Sequence, residues 1–551
     1  MTKTLRIMAA AVLGAAAVSC ASPSKMAQLA DNVKVTTDPQ VLEVVAGEID
    51  ADVAVTYPAD YFLPKAILEV TPVLVYDGGE AKAQPLMYQG EKVKDNYRTV
   101  SSEGGTVRSR VHFDYEPGME QAELVLRGVV KYKGKSYNLP EKKAADGCNT
   151  TYMLVSFGHE NGSAMSVPLK DDNYQPIIEQ TEEGQILYKI NSSNVDKKQL
   201  SSQSVKDFQA ALDEIASNAR KTLKGTEVVA YASPDGKEAL NNKLSENRSK
   251  TADDAFQKVT KGKETGDVSV KSIGEDWEGF QELVAASDIQ DKDLILRVLS
   301  MYSDPAVRES EIRNMSEIFT SLKSTILPEL RRARFIANVE YKNYTDDELK
   351  QMIEDNADVL DETALLHAAT LIDDNDEKVS LYNKAIDKYD SDRARFNKGV
   401  VLLSEGKTAQ ARKAFESVKT EDEELKNALG AVAYEEGDIS AATKYFKEAD
   451  TETSRANQGV IDILSGNYKA AAKDFAGQTG KNAALANILN NDLASAEKAI
   501  TCNCPMMGYL KAIIAARRGD AQGVSDNLKV AGKMDKLAKR AEKDVEFADY
   551  R

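Results

Sequence analysis

Apolar and polar residues alternate through much of the region from residue 37 to residue 175. Every second position is apolar or small in two stretches, which contain Ala51, Val53, Val55 and Tyr57, and Val107, Ser109, Val111, Phe113 and Tyr115. This period of two is typical of strands with one face in a core and the other in water. Short turns such as Asp77-Gly78-Gly79 and Lys133-Gly134-Lys135 separate the apolar stretches. The pattern predicts an antiparallel β-sandwich over residues 37–175.

Between residues 180 and 343 the period changes between strand-like and helix-like. Strands are predicted around Ile186–Ile190, Glu227–Tyr231, Val268–Val270 and Phe335–Tyr341. The intervening helices begin near Ser204, where Val205, Phe208, Leu212 and Ile215 share one face, and near Asn241. This order predicts an α/β sandwich. Residues 277–332 form an extra helical insertion, interpreted as either a lid or a docking surface.

Residues 344–551 carry a helical repeat pattern. Glycines that mark turns recur at Gly406, Gly437 and Gly466. At fixed offsets from them stand a second glycine seven residues before (Gly399, Gly430, Gly459), an alanine five after (Ala411, Ala442, Ala471) and a phenylalanine nine after (Phe415, Phe446, Phe475). Weaker copies centre on Asn491 and Gly519.

These offsets resemble those of the tetratricopeptide repeat, although the spacing is shorter than that family's. The resemblance implies paired helices that approach at the small residues, with the aromatic residue filling the gap to the next repeat. It also implies a concave face that takes an extended peptide or a partner helix. Asn397 and Asn457 stand nine residues before their turn glycines and are candidates to hydrogen-bond a ligand backbone there; solvent-facing asparagines are the alternative.

The stretch from Glu227 to Ser249 combines a strand, a Ser-Pro-Asp-Gly turn and a helix with Asn241, Leu244, Ser245 and Arg248. It resembles the C-terminal domain of OmpA. In that family an acidic residue after the strand and the helix arginine bind diaminopimelate of peptidoglycan. Here Ser233 occupies the position of the acid, and Asp235 is the candidate substitute. The implied peptidoglycan site is therefore Ser233, Asp235, Asn241 and Arg248, with binding expected to be weak or absent.

The first 20 residues have the order of a lipoprotein signal peptide. Lys3 and Arg6 precede a short apolar run that ends at Cys20. We expect cleavage before Cys20 and lipidation of its thiol, with residues 21–36 as a tether; an ordinary secretory signal is the alternative. No acidic run follows Cys20, which favours the periplasmic face of the outer membrane.

Composition and motifs argue against several functions. The net charge of −17 disfavours nucleic acid, whose phosphates would repel the chain. The three histidines, His112, His159 and His367, are isolated, and no catalytic, P-loop or dinucleotide motif is found. Four cysteines do not make a disulfide framework. Cys502-Asn503-Cys504 is interpreted as a pair of loop or helix-end cysteines, with a redox or metal role as the alternative.

The sequence thus predicts a multidomain α+β protein: an N-terminal β-sandwich of immunoglobulin-like topology, an OmpA-like α/β sandwich and a C-terminal all-α solenoid. The expected function is that of a non-enzymatic periplasmic scaffold lipoprotein, without metal or cofactor. Its repeats would bind an outer-membrane protein complex, such as a barrel, secretion or assembly machine. The alternative is a peptidoglycan anchor.

Overall fold

The computed structural model describes residues 22–157, 165–289 and 292–551. Cys20 and His159 lie outside these ranges, so the lipidation prediction concerns residues that the structure does not describe. Contacts divide the chain into two units: Met1–Lys170 with Asp392–Arg551, and Asp171–Ser391. The first unit is discontinuous, because the second is inserted into it. The sequence predicted boundaries at residues 175 and 344 instead.

The N-terminal part of the first unit is β-rich. It comprises α1 (Pro23–Gln28), β1 (Lys34–Asp38), β2 (Val41–Val45), β3 (Glu48–Tyr57), β4 (Ile67–Tyr76), β5 (Gly79–Lys82), β6 (Leu86–Gly90), β7 (Arg98–Val100), β8 (Gly105–Asp114), β9 (Glu123–Tyr132), β10 (Lys135–Asn138) and β11 (Lys142–Asn149). The strand order is β1-β3-β2-β11-β9-β4-β6-β7, with β8 on β3, β5 on β4 and β10 on β9. Pairing is antiparallel except between β2 and β11 and between β6 and β7.

The predicted alternation is present in β3, where Ala51, Val53, Val55 and Tyr57 are buried. Val55 and Tyr57 face Leu68 of β4 and Leu126 of β9 across a cavity of about 50 Å³, so two apolar sheet faces meet.

Two predictions differ from the structure. Residues 22–36 are not a free tether, because they form α1 and the start of β1, with Met26 fully buried. The last strand of this region ends at Asn149, before the predicted domain boundary at residue 175.

The C-terminal part of the first unit is a row of helical hairpins. Its helices are α11 (Asp392–Ser404), α12 (Thr408–Glu416), α13 (Glu423–Glu435), α14 (Ile439–Ala449), α15 (Glu452–Leu464), α16 (Tyr468–Asp474), α17 (Lys481–Leu489), α18 (Leu493–Ala499), α19 (Pro505–Arg517), α20 (Ala521–Ala531) and α21 (Asp535–Ala541), numbered after the helices of the second unit. A 3-10 helix, Val545–Tyr550, follows. Its Glu546 accepts hydrogen bonds from Asn149 and Thr151 at the end of β11 (2.9 and 3.0 Å).

The repeated glycine and phenylalanine offsets have a direct packing cause. A Cβ on Gly430 would lie 2.6 Å from the ring of Phe446, and the Gly399–Phe415 and Gly459–Phe475 pairs are equally close (2.6 and 2.5 Å). Each ring therefore fills the notch left by the glycine of its own hairpin. The sequence had placed the ring between neighbouring repeats instead. The turn glycines adopt positive φ, at +72° in Gly406 and +82° in Gly437, as the end of a helix requires.

The second unit is a four-stranded sheet with helices, followed by three more helices. Its elements are β12 (Ile177–Leu187), α2 (Gln203–Ser217), β13 (Lys221–Ala232), α3 (Glu238–Val259), β14 (Val268–Glu275), α4 (Trp277–Ala286), α5 (Lys292–Met301), α6 (Pro305–Asn314), α7 (Ser316–Thr325), β15 (Arg332–Lys342), α8 (Asp346–Asn356), α9 (Glu362–Thr370) and α10 (Asn375–Tyr389). The strand order is β12-β15-β13-β14, and only β13 and β14 run parallel.

The strands predicted at Glu227–Tyr231, Val268–Val270 and Phe335–Tyr341 lie within β13, β14 and β15, whereas the one predicted at Ile186–Ile190 overlaps only the last two residues of β12. Phe208 of α2, Phe256 of α3 and Phe335 of β15 meet in its core, with ring centroids 5.3–6.3 Å apart. The predicted helical insertion consists of α4–α7, which share a core of their own around Phe280, Ile295 and Leu322. Trp277 packs on the edge of that core, and its indole N–H donates to Glu275 Oε2 at 2.9 Å.

Candidate functional site

Three of the four residues predicted to bind peptidoglycan lie together at the end of β13. The Ser233 hydroxyl donates to Asp235 Oδ1 at 2.6 Å, and Asn241 Nδ2 donates to the Ser233 carbonyl at 3.2 Å. Arg331 holds the same pair, donating to Ser233 Oγ and to Asp235 Oδ2, both at 3.3 Å. Asp235 is thus already paired with a cation of its own chain, and only 14% of its side chain is exposed.

Arg248, the fourth predicted residue, is fully buried and directed at backbone oxygens. Its Nε donates to the Ser192 carbonyl at 3.0 Å, and its two terminal nitrogens donate to the carbonyls of Tyr231 (2.8 Å) and Lys189 (3.3 Å). Its guanidinium also lies 4.9 Å from the centre of the Tyr188 ring. Burial lowers the pKa of Arg248 to about 10. The arrangement ties α3 to β13 and to the loop after β12, which is a structural task.

A second group of polar side chains lies on the helical hairpins of the first unit. The first helices of four successive hairpins carry Asn397, Asn427, Asn457 and Asn482, which we call the asparagine face. Their side-chain amides bind the backbone of the chain's own segment after β11. Asn457 accepts from the Ser166 N–H and donates to the Ser166 carbonyl, both at 2.8 Å. Asn427 donates to the same carbonyl at 3.0 Å and accepts from Asn457 Nδ2 at 3.0 Å.

The same two-way contact occurs at both ends of the face. Asn397 accepts from the Lys170 N–H at 2.7 Å and donates to the Lys170 carbonyl at 3.0 Å. Asn482 accepts from the Ser156 N–H at 2.8 Å and donates to the Ser156 carbonyl at 2.7 Å. One amide side chain matches the N–H and the carbonyl of one residue because it presents both a donor and an acceptor. Recognition of this kind reads the backbone and not the side chain.

The asparagine face also holds one side chain of the segment. Lys170 Nζ pairs with Asp422 and lies 3.2 Å from Glu424 Oε2. The ammonium stands 5.0 Å from the centre of the Phe396 ring, and 15% of the lysine side chain is exposed. Burial opposes the charge of Lys170, but Asp422 and Glu424 together raise its pKa above the ordinary value.

Asn397 and Asn457, which the sequence offered as candidates to hydrogen-bond a ligand backbone, hydrogen-bond the backbone of the chain itself. Binding of an outside ligand by these two residues stays a prediction. Asn482 was missed, yet it stands nine residues before Asn491, the offset shared by the other two. Asn427 stands ten residues before Gly437, so strict counting could not have found it.

The remaining reactive side chains have local partners. His367 stacks on Tyr174 with ring centroids 4.5 Å apart, and its Nδ1 lies 2.9 Å from Asp172. His112 lies with Glu48 and Asp50 on the exposed face of β3 and β8, where Arg110 already pairs with Asp50.

The two kinds of cysteine differ in reactivity. Cys148 is buried, and burial raises its pKa to about 12. Cys502 and Cys504 are exposed with sulfur atoms 2.7 Å apart, and a hydrogen bond from Cys502 lowers the pKa of Cys504.

No helix in the described ranges combines the length and apolar character needed to cross a bilayer.

No family model matches the chain, and no curated protein does. Solved structures with similar portions include a tetratricopeptide repeat protein from Parabacteroides merdae, with 14% identity and a TM-score of 0.27 over 36% of this chain and 90% of that one. YrrB, a TPR protein with an unusual peptide-binding site, has 17% identity and a TM-score of 0.22 over 36% and 100%. Yeast Tom70 has 13% identity and a TM-score of 0.27 over 62% and 78%. TM-scores this low do not establish a shared fold.

Proposed function

We propose that this chain is a non-enzymatic scaffold whose tetratricopeptide-like hairpins bind extended polypeptide segments. The observation that carries the proposal is the asparagine face, where Asn397 and Asn457 each bind both the N–H and the carbonyl of one residue. Buried amides that point at a groove need such partners, because leaving them unpaired costs about 1–3 kcal/mol each. The chain's own segment fills this need and is the resident ligand.

The proposal extends to the location of the chain and to its partners. We infer that Cys20 carries lipid and anchors the protein to the periplasmic face of the outer membrane. The order of basic residues, apolar run and cysteine at the N-terminus supports this, as two or more acyl chains anchor stably. The partner would then be an outer-membrane protein complex.

A Cys20→Ser chain should leave the membrane fraction. A variant that stays with outer membranes at high salt would contradict the lipid anchor.

Affinity capture from detergent-solubilised membranes tests the scaffold. We expect a tagged wild-type chain to retain protein partners and an Asn397→Ala/Asn457→Ala chain to lose them, since the backbone clamps are gone. Asn490→Ala is the matched control, because Asn490 is exposed at the end of α17. Partners retained equally by all three chains would place the binding surface outside the asparagine face and would refute the proposal.

Peptidoglycan binding by an OmpA-like second unit is the alternative. The proximity of Ser233, Asp235 and Asn241 favours it. The ion pair of Asp235 with Arg331 and the hydrogen bonds of Arg248 to backbone carbonyls argue against it. We expect weak retention on purified sacculi. Strong retention that is lost in Asp235→Asn, with the variant still folded, would support the anchor instead.

A further inference from the structure

The structure assigns the acidic end of the asparagine face as a lysine-selective subsite for an extended segment of a partner protein, with Lys170 as the chain's own competitor. This inference rests on the proposed function, because it adds a side-chain preference to a face that otherwise reads backbone. The subsite consists of Asn397, Phe396, Asp422 and Glu424.

The subsite is built and not incidental. Asp422 is fixed by a second task, since its Oδ1 accepts from the Leu425 N–H at the start of α13 at 2.8 Å while its Oδ2 takes the lysine. Phe396 is buried at the base of the site, 1% exposed, and presents its ring to the ammonium. A flexible pair on an open surface would lack both the fixed carboxylate and the aromatic floor.

The backbone clamps set the register of the lysine. Asn397 binds the N–H and carbonyl of Lys170, and Asn457 binds those of Ser166, four residues earlier. Of the three residues between them, Pro168 and Leu169 are exposed, whereas Val167 is 2% exposed. The face therefore favours an apolar residue directly after the first clamp and places few demands on the next two residues. A fitting ligand is an extended segment in which an apolar residue follows the residue bound by Asn457 and a lysine stands three residues after that apolar residue.

The chain's own segment competes because it is tethered. A tethered ligand acts at an effective concentration on the order of millimolar. An outside segment therefore binds well only where it is itself held nearby, as in a complex, or where the tethered one is weakened. Replacing Lys170 by glutamate puts a third carboxylate beside Asp422 and Glu424, and this should release the resident segment.

The test uses the full chain and a fluorescent synthetic peptide with the sequence of residues 165–170, blocked at both ends, followed by anisotropy. We expect weak binding to wild type and clear binding to Lys170→Glu. A peptide with norleucine in place of lysine should bind Lys170→Glu roughly 10-fold to 100-fold more weakly, the range for a lost charge-assisted hydrogen bond. Asp422→Asn, which keeps a helix-capping residue, should abolish the preference for lysine in the same background.

Lys170→Gln is the second variant if Lys170→Glu does not fold, since it removes the charge without adding repulsion. Equal binding of the lysine and norleucine peptides would overturn the lysine subsite. It would still support binding through the backbone, and hence the proposed function. No binding by either folded variant would overturn both. A concentration-dependent dimer between wild-type and Lys170→Gln chains, detected by sedimentation, would make a second copy the occupant and overturn the assignment to a partner protein.

Discussion

Removal of one asparagine should open the clamped segment at the residue that this asparagine binds and leave the other clamps closed. Asn457→Ala deletes three hydrogen bonds: two with Ser166, both at 2.8 Å, and one with Asn427 at 3.0 Å. At about 1 kcal/mol for each of the two bonds with Ser166, the free energy of local opening at Ser166 falls by about 2 kcal/mol. Because about 1.4 kcal/mol is a factor of ten, the Ser166 N–H should exchange with solvent roughly 30-fold faster.

Native-state hydrogen exchange measured by mass spectrometry reports this directly, and the chain supplies a matched control. Asn482→Ala removes the corresponding partner of Ser156, whose N–H donates to Asn482 Oδ1 at 2.8 Å. We expect Asn457→Ala to accelerate exchange at Ser166 and not at Ser156, and Asn482→Ala to do the reverse. Acceleration of both amides in both variants would mean that the hairpins unfold together. Unchanged exchange at Ser166 in Asn457→Ala would refute the amide clamp.

Further predictions concern the interior of the hairpins and the thiols. Phe446→Ala empties the notch beside Gly430 and should lower the free energy of unfolding of the repeats by about 3–5 kcal/mol in urea denaturation followed by circular dichroism. Burial and a hydrogen bond that the protonated Asp474 donates to Asp462 raise the pKa of Asp474 to about 6, so its stabilising contribution is complete below about pH 4 and is lost as the pH rises through about 6. Asp474→Asn should therefore stabilise the chain by on the order of 1 kcal/mol at about pH 7 and by nothing at about pH 4, a difference that denaturation at the two pH values will show. Iodoacetamide mapped by mass spectrometry at about pH 8 should label the exposed Cys502–Cys504 pair and spare Cys148 until the chain is unfolded.

Features that repeat along the chain could be predicted from the sequence. The glycine and phenylalanine offsets were found because one packing contact, small against large, recurs in each hairpin. The alternation of β3 was found because a half-buried strand has a period of two. The partners of Asn457 could not be found, because its ligand lies far away in the sequence and is backbone, which leaves no trace in residue identity.

The surroundings of Arg248 and of the N-terminal segment could not be predicted from the sequence either. The acceptors of Arg248 are three carbonyls, so its motif position indicated a ligand site where the fold uses it as an internal tie. Residues 22–36 bury Met26, Ala30 and Val33. These apolar residues are spaced four and three apart across a helix end and the start of a strand, so they follow no single period that would distinguish a folded segment from a tether.

The discontinuity of the first unit has a consequence for the order in which the chain can fold during its synthesis. Residues 171–391 are continuous in sequence and can complete their contacts as soon as they emerge. The end of β11 cannot complete its contacts until the C-terminal residues have been synthesised. Asn149 and Thr151 donate to Glu546, and the Thr150 carbonyl accepts from Arg540 at 2.9 Å. Contacts over such separations are slow to form. The first part of the chain to be synthesised is therefore among the last to complete its tertiary contacts. Loss of the final 3-10 helix should make the β-rich part of the first unit more sensitive to proteases.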